Sequence, residues 1–200
     1  EITALNRVLR DSRYFQRVEV RPLRAQAEGI DVPIEVLLEP AKRHAWRAGV
    51  GFSTDTGPRT SLRYDNRFVN ARGHRFESAL SLSPVLSGLS ADYVIPGADP
   101  RRETFSFGAQ LAQEDNDSAR SDRATLTARQ TLARGDWSYS KFIELLYENS
   151  EIGKQEIDAT LLMAGLALDR VSADDLLKTR RGYRIALEAR AAHDALISST

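Results

Sequence analysis

From Trp46 onward, apolar and polar residues alternate along the chain with a period of two. In "GVGFSTDTGPRTSLRYDN" (49–66), Val50 and Phe52 stand against Gly49, Gly51 and Ser53. After the turn-forming run Asp55-Thr56-Gly57-Pro58, Leu62 and Tyr64 stand against Ser61, Arg63 and Asp65. Successive side chains of a strand point to opposite faces, so this stretch predicts a hairpin with one apolar and one polar face. The pattern recurs over 46–54, 59–68, 73–83, 88–95, 103–113, 121–133, 136–149, 156–171 and 180–192, which predicts an antiparallel meander of about nine strands. It is cleanest where Leu89, Ala91, Tyr93 and Ile95 alternate with Ser90, Asp92 and Val94. Phe105, Phe107, Ala109 and Leu111 alternate as clearly, and so do Tyr183, Ile185, Leu187 and Ala189. The segment 156–171 is apolar on both faces, and 136–149 has mixed faces. "DTGP", "NARG", "SPVLSG" and "RGD" supply the turns between them.

Residues 1–40 read differently. Leu5, Val8 and Leu9 have helical spacing, with Thr3 placed to cap the helix. Val18 and Val20 then alternate with Arg17, Glu19 and Arg21, and Val32, Ile34, Val36 and Leu38 with Pro33, Glu35 and Glu39. This is a helix–strand–strand unit, short for an independent α+β domain, with "PAKRHA" (40–45) as a linker. The chain starts at Glu1 with no initiator Met and no signal peptide, so it is expected to be a piece of a longer protein.

The strands can bury their apolar side in either of two ways. A soluble barrel turns it inward, whereas a membrane barrel turns it toward lipid and keeps the polar side in a lumen. Strands of about ten residues exceed the ordinary five or six and match a tilted bilayer crossing. The polar face mixes Ser, Thr, Gly, Gln, Arg and acids and has little Lys, which suits a crowded, hydrated lumen. Trp46, Phe68, Tyr93, Trp137 and Tyr147 fall near strand ends, where a membrane interface places aromatics. The most apolar run, Ala159–Leu168, is too short for a spanning helix, but a barrel needs none. A soluble lipid-carrying barrel has the same period and stays open as an alternative.

Charge narrows the choice of partner. Lys+Arg and Asp+Glu are both 28, so the net charge is zero, and the arginines are scattered singly, which argues against nucleic acid. With no cysteine, disulfides and thiolate metal sites are excluded. His44, His74 and His193 are far apart, and neither a Gly-x-Ser-x-Gly nor a His-Glu-x-x-His run occurs. No nucleophile is paired with a base, so no enzymatic activity and no cofactor are expected. "RGD" (134–136) joins two predicted strands and reads as turn chemistry, and Asn116-Asp117-Ser118 reads as loop.

"VGFSTDTGPR" (50–59), "RGHRFES" (72–78) and "YVIPGADP" (93–100) resemble the BamA/TamA superfamily of outer-membrane assembly barrels, most closely its TamA-type members. "DSRYFQRVEVRP…VPIEVLLEP" (11–40) resembles the end of a POTRA domain, the periplasmic module that precedes such barrels. The resemblance implies a mainly β fold, with 1–40 as the C-terminal part of a POTRA-like domain and 46–200 as the N-terminal part of an antiparallel transmembrane β-barrel. It implies residence in the bacterial outer membrane, with the N-terminal unit in the periplasm. It also implies a non-enzymatic role in folding and inserting client barrels and autotransporters, with a TamB-like periplasmic partner met through POTRA domains. A related secretion transporter is the other reading. The expected client-pairing strand holds Trp46, Ala48, Gly49, Val50, Gly51 and Phe52. Its two glycines either weaken a seam or make room in the lumen. The signature turn holds Tyr93, Ile95, Pro96, Asp99 and Pro100, with Pro96 ending a strand because it cannot donate to the ladder. "RRGY" (180–183) superficially resembles the tip of the family's lumen loop, but it opens a predicted strand and receives no such role.

Overall fold

The structure, a computed structural model, describes residues 2–12, 14–27, 29, 31–54, 56–116, 119–153, 155–173 and 180–194. The chain begins with helix α1 (Ile2–Asp11), strand β1 (Phe15–Pro22), a short 3-10 turn (Arg24–Gln26) and strand β2 (Ile34–Pro40). Thr3 lies inside the helix and not at its cap. Ser12 closes the C-terminal end, its hydroxyl donating to the Leu9 carbonyl at 2.6 Å. Helix α1 lies on β1 and Val18 of β1 is buried. β1 and β2 pair antiparallel, Val18 opposite Leu38 and Val20 opposite Val36.

Among the described residues nine strands follow in one sheet whose spatial order is the sequence order. They are β3 (His44–Ser53), β4 (Gly57–Asn66), β5 (Arg75–Leu82), β6 (Leu86–Pro96), β7 (Glu103–Asn116), β8 (Ala119–Arg134), β9 (Trp137–Ile152), β10 (Gln155–Ala173) and β11 (Gly182–Asp194). Every neighbouring pair is antiparallel. β3 and β11 stand at the two edges, and among the described residues neither pairs with the other, so the sheet is open. The expected linker is shorter than 40–45. Only Ala41, Lys42 and Arg43 separate β2 from β3, and the Ala41 amide donates to the Tyr14 carbonyl at 2.8 Å.

The registers assign every side chain to a face. One face carries Trp46, Val50 and Phe52 of β3, Leu62 and Tyr64 of β4, and Phe76 and Leu80 of β5. It continues through Leu89 and Tyr93, Phe107 and Leu111, Leu126, Ile143 and Leu145, and Leu162 and Leu166, to Leu187. These residues are half-buried to exposed, with Val50 at 88% and Phe52 at 75%, and the described residues with a buried apolar side chain are only Val18 and Phe142. The sheet therefore has no water-excluded core behind its apolar face. The opposite face carries Arg47, Asp65, Glu77, Asp92, Ser106, Thr127, Arg129 and Glu144, and it is the more crowded one: Asp65 and Phe142 on it are 8% and 3% exposed.

β3 to β6 have 8 to 11 residues, whereas β8, β9 and β10 have 16, 16 and 19. The apolar band does not lengthen with them. Past Leu111, Ala124, Tyr147 and Thr160, the same face turns polar at Gln113, Asp122, Asn149 and Asp158. The extra residues carry the β7–β8 and β9–β10 hairpins beyond the band.

Candidate functional site

β3 forms because bulky residues alternate with small ones. Trp46, Ala48, Val50 and Phe52 occupy the apolar face, with Trp46 opposite Tyr64 and Ala48 opposite Leu62. Gly49 and Gly51 occupy the polar face opposite Ser61 and Arg59. A Cβ at Gly49 would approach Ser61 Oγ to 2.9 Å, and one at Gly51 would approach Arg59 Nε to 2.9 Å. The glycines thus make room for β4 side chains lying over β3. They also leave β3 without side chains of its own at these two positions of that face, beyond Arg47. Among the described residues its one strand partner is β4, so on its other side a row of N–H and C=O groups faces outward, the geometry that accepts an added strand.

The turn after β6 is held by side chains as well as backbone. Tyr93 meets His74, hydroxyl to Nδ1, at 2.8 Å. Ile95 lies opposite Phe105, and Pro96 opposite Thr104 at the end of the ladder. Asp99 accepts from the Arg101 amide at 3.1 Å and its Nε at 3.3 Å, and the Asp99 carbonyl accepts from the amides of Arg102 and Glu103. The Arg101 amide, then the guanidiniums of Arg101 and Arg102, hold the Asp99 carboxyl below its usual range against the cost of desolvation. Glu103 lies over Gly97, where a Cβ would collide with it. Pro100 follows Asp99 within the same turn.

One link between the N-terminal unit and the sheet was not evident in the sequence. Tyr14 donates its hydroxyl to the Gly73 carbonyl at 3.1 Å and meets Phe68 edge-on at 5.9 Å. Gly73 has φ +76, and a Cβ there would lie 2.5 Å from the Tyr14 oxygen and 3.6 Å from Pro96. The loop between β4 and β5 therefore joins the N-terminal unit to the signature turn. Phe68, expected at a strand end, sits in this loop. A glycine in an "NARG" turn was visible in the sequence, but nothing there named its partner 59 residues away.

Aromatics gather at the end of the apolar band nearest the N-terminal unit. The Trp46 and Tyr64 rings lie tilted against each other at 4.3 Å, Tyr64 and Phe76 lie at 6.2 Å, and Trp137 and Tyr139 at 6.4 Å. Arg170 stands over Trp137 at 5.0 Å and Tyr183 at 5.4 Å. The "RGD" run is the β8–β9 turn, with Gly135 at φ 62. On the polar face Phe142 lies between Arg129 at 4.7 Å and Arg190 at 5.3 Å, covering Gly165, which is its register partner. Among the described residues no group of His, Asp and Glu is arranged to hold a metal. His44 and His74 are instead bonded to tyrosines, at 2.8 Å each.

No family model matches the chain. Among solved structures, "the crystal structure of BamA from Haemophilus ducreyi lacking POTRA domains 1-3" aligns with a TM-score of 0.66 at 11% sequence identity, over 97% of this chain and 42% of that one. The chain thus has the fold of a BamA-type barrel piece and spans less than half the length of the structure it matches.

Proposed function

We propose that the chain is the N-terminal part of an outer-membrane assembly barrel, and that β3 is the strand on which unfolded client strands pair. The observation that carries this is a β3 edge with no second strand partner among the described residues, beside an exposed apolar face, in a sheet with the fold of a BamA-type barrel. A client strand entering a bilayer must satisfy its N–H and C=O groups at once, because hydrocarbon offers no partner. An edge already carrying aligned donors and acceptors meets that need without nucleotide or catalysis. The apolar face then contacts lipid, and the aromatic end of the band lies at the membrane surface nearest the periplasm.

The finer reading follows the resemblance carried by "YVIPGADP". The protein acts as a TamA-type factor for barrel and autotransporter clients. Residues 1–40 form the end of a POTRA domain in the periplasm, and a TamB-like partner is engaged through such domains. A soluble lipid carrier fits less well, because its apolar residues would line an enclosed cavity, whereas here Val50 and Phe52 are among the most exposed.

The test is site-specific cross-linking in the intact protein during export of a stalled client. Single cysteines along 47–53 should cross-link with a strength that alternates from residue to residue, following the pleat. Ala109→Cys in β7 should not cross-link. Equal yields from β7 would remove any special role for β3.

A further inference from the structure

Between α1 and the first three strands of the sheet lies a cavity of about 480 Å³ lined by five arginines, Arg10, Arg47, Arg63, Arg67 and Arg75. Arg10 comes from the last turn of α1. Arg47 and Arg63 sit directly opposite one another on β3 and β4, and like charges at such a position repel at a Cβ separation of about 5 Å. Two carboxylates, Asp65 and Glu77, share the lining with the five guanidiniums, and Asp65, the buried one, is taken by Arg47 at 2.5 Å. Among the described residues Arg10, Arg63, Arg67 and Arg75 make no ion pair. Arginine cannot escape such crowding by losing a proton. The excess positive charge is therefore permanent, and an anion entering the cavity relieves it.

Two features decide which anion. The volume is that of a ligand pocket, and larger than one oxyanion fills. The cavity also lies on the polar face, with Arg47 and Arg63 on the side of the sheet opposite Trp46, Tyr64 and Leu62. A lipid whose chains lay along the apolar face would have its headgroup on the wrong side of the wall. A polypeptide approaching along the polar face meets no such barrier, and several carboxylates on one segment can each be gripped by a guanidinium fork. We propose that this cavity binds an acidic segment of a partner polypeptide at the junction of the N-terminal unit and the sheet. The inference does not depend on whether the β3 edge pairs with clients.

The test uses the intact protein in detergent at low salt, with fluorescence anisotropy of a labelled peptide of alternating glutamate and serine and of its glutamine counterpart. The glutamate peptide should bind at least about tenfold more tightly, since charge-assisted bonds are the stronger ones. Arg63→Gln combined with Arg75→Gln should weaken it by about tenfold or more with an unchanged melting profile. Arg63→Lys with Arg75→Lys should keep most of the binding, and Arg101→Gln, away from the cavity, all of it. Equal binding of the two peptides, or wild-type binding by the double glutamine variant, overturns the proposal. So does displacement by inorganic phosphate or phosphatidylglycerol bicelles at lower concentration than the unlabelled peptide, since the ligand is then a phosphate. If the double variant does not fold, the two peptides on the wild-type protein and the single Arg67→Gln variant still decide.

Discussion

At the scale of single residues, Gly73 and the pair Ser106 and Phe107 test different parts of the structure. Gly73 combines a left-handed φ of +76 with Tyr14 oxygen 2.5 Å from where a Cβ would stand. An L side chain in that backbone region costs about 1–2 kcal/mol before any clash. Gly73→Ala is expected to lower stability by at least that amount and to expose the linker at 41–43 to protease. Tyr14→Phe, which removes only the bond to the Gly73 carbonyl, should cost about 1 kcal/mol. Unfolding in denaturant and limited proteolysis measure both, and wild-type behaviour of Gly73→Ala would mean that the junction is not held there. Phe107 and Ser106 are neighbours on opposite faces. Phe107 is 51% exposed on the apolar face, and Ser106 lies opposite Arg129 on the polar face. Phe107→Arg should cost about 2–4 kcal/mol of insertion if it lies near the bilayer midplane, whereas Ser106→Glu places a carboxylate opposite Arg129 and should be mild. The reverse order would turn the sheet inside out.

At the scale of elements, the strands were legible because a period of two survives in each of them, and their ends mostly fell within a few residues of the expected places. The lengths were less legible. Expected at 103–113, β7 runs to Asn116, because past Leu111 the face alternation gives way to polar residues and the hydrophobic signal ends before the ladder does, and β10, expected at 156–171, runs two residues further to Ala173. Thr3 could not be placed as a cap from spacing alone, since α1 already includes Ile2. The mixed face of β9 has a physical explanation that spacing could not supply. Phe142 points to the polar face because it covers Gly165 across the ladder and sits between two guanidiniums. A Cβ at Gly165 would overlap the Phe142 ring. Gly165→Ala is therefore expected to cost about 1–3 kcal/mol by overpacking, and adding Phe142→Ala should return part of that loss. A neutral Gly165→Ala in detergent unfolding would show that the ring moves aside freely.

At the scale of the whole molecule, the antiparallel meander decides which turns share a side. If the N-terminal unit is periplasmic, the turns at 67–74, 97–102 and 135–136 share its side, and the β5–β6 turn and the long hairpins ending near 116 and 153 lie outside. Cysteines at Glu151 and Arg101 of the intact protein should then differ in labelling by an impermeant thiol reagent on intact cells, and equal labelling would overturn the topology. The open sheet has a consequence for these 200 residues on their own. Nine strands in strict antiparallel order leave β3 and β11 running in the same direction, so they cannot close on each other with an antiparallel ladder. Among the described residues neither edge has a second strand partner, and each lies beside exposed side chains, Val50 and Phe52 on β3 and Leu187 on β11. Edges of that kind recruit another copy. Two copies can pair β3 with β3 or β11 with β11 antiparallel, because a two-fold axis reverses the strand. In detergent the isolated chain is therefore expected to form edge-to-edge dimers. Ala48→Cys in β3 or Ala189→Cys in β11 should give intermolecular disulfides in much higher yield than Ala109→Cys in the middle of the sheet. A monodisperse monomer with equally low yields at all three positions would mean that the edges are protected, and the pairing role given to β3 would lose its physical basis.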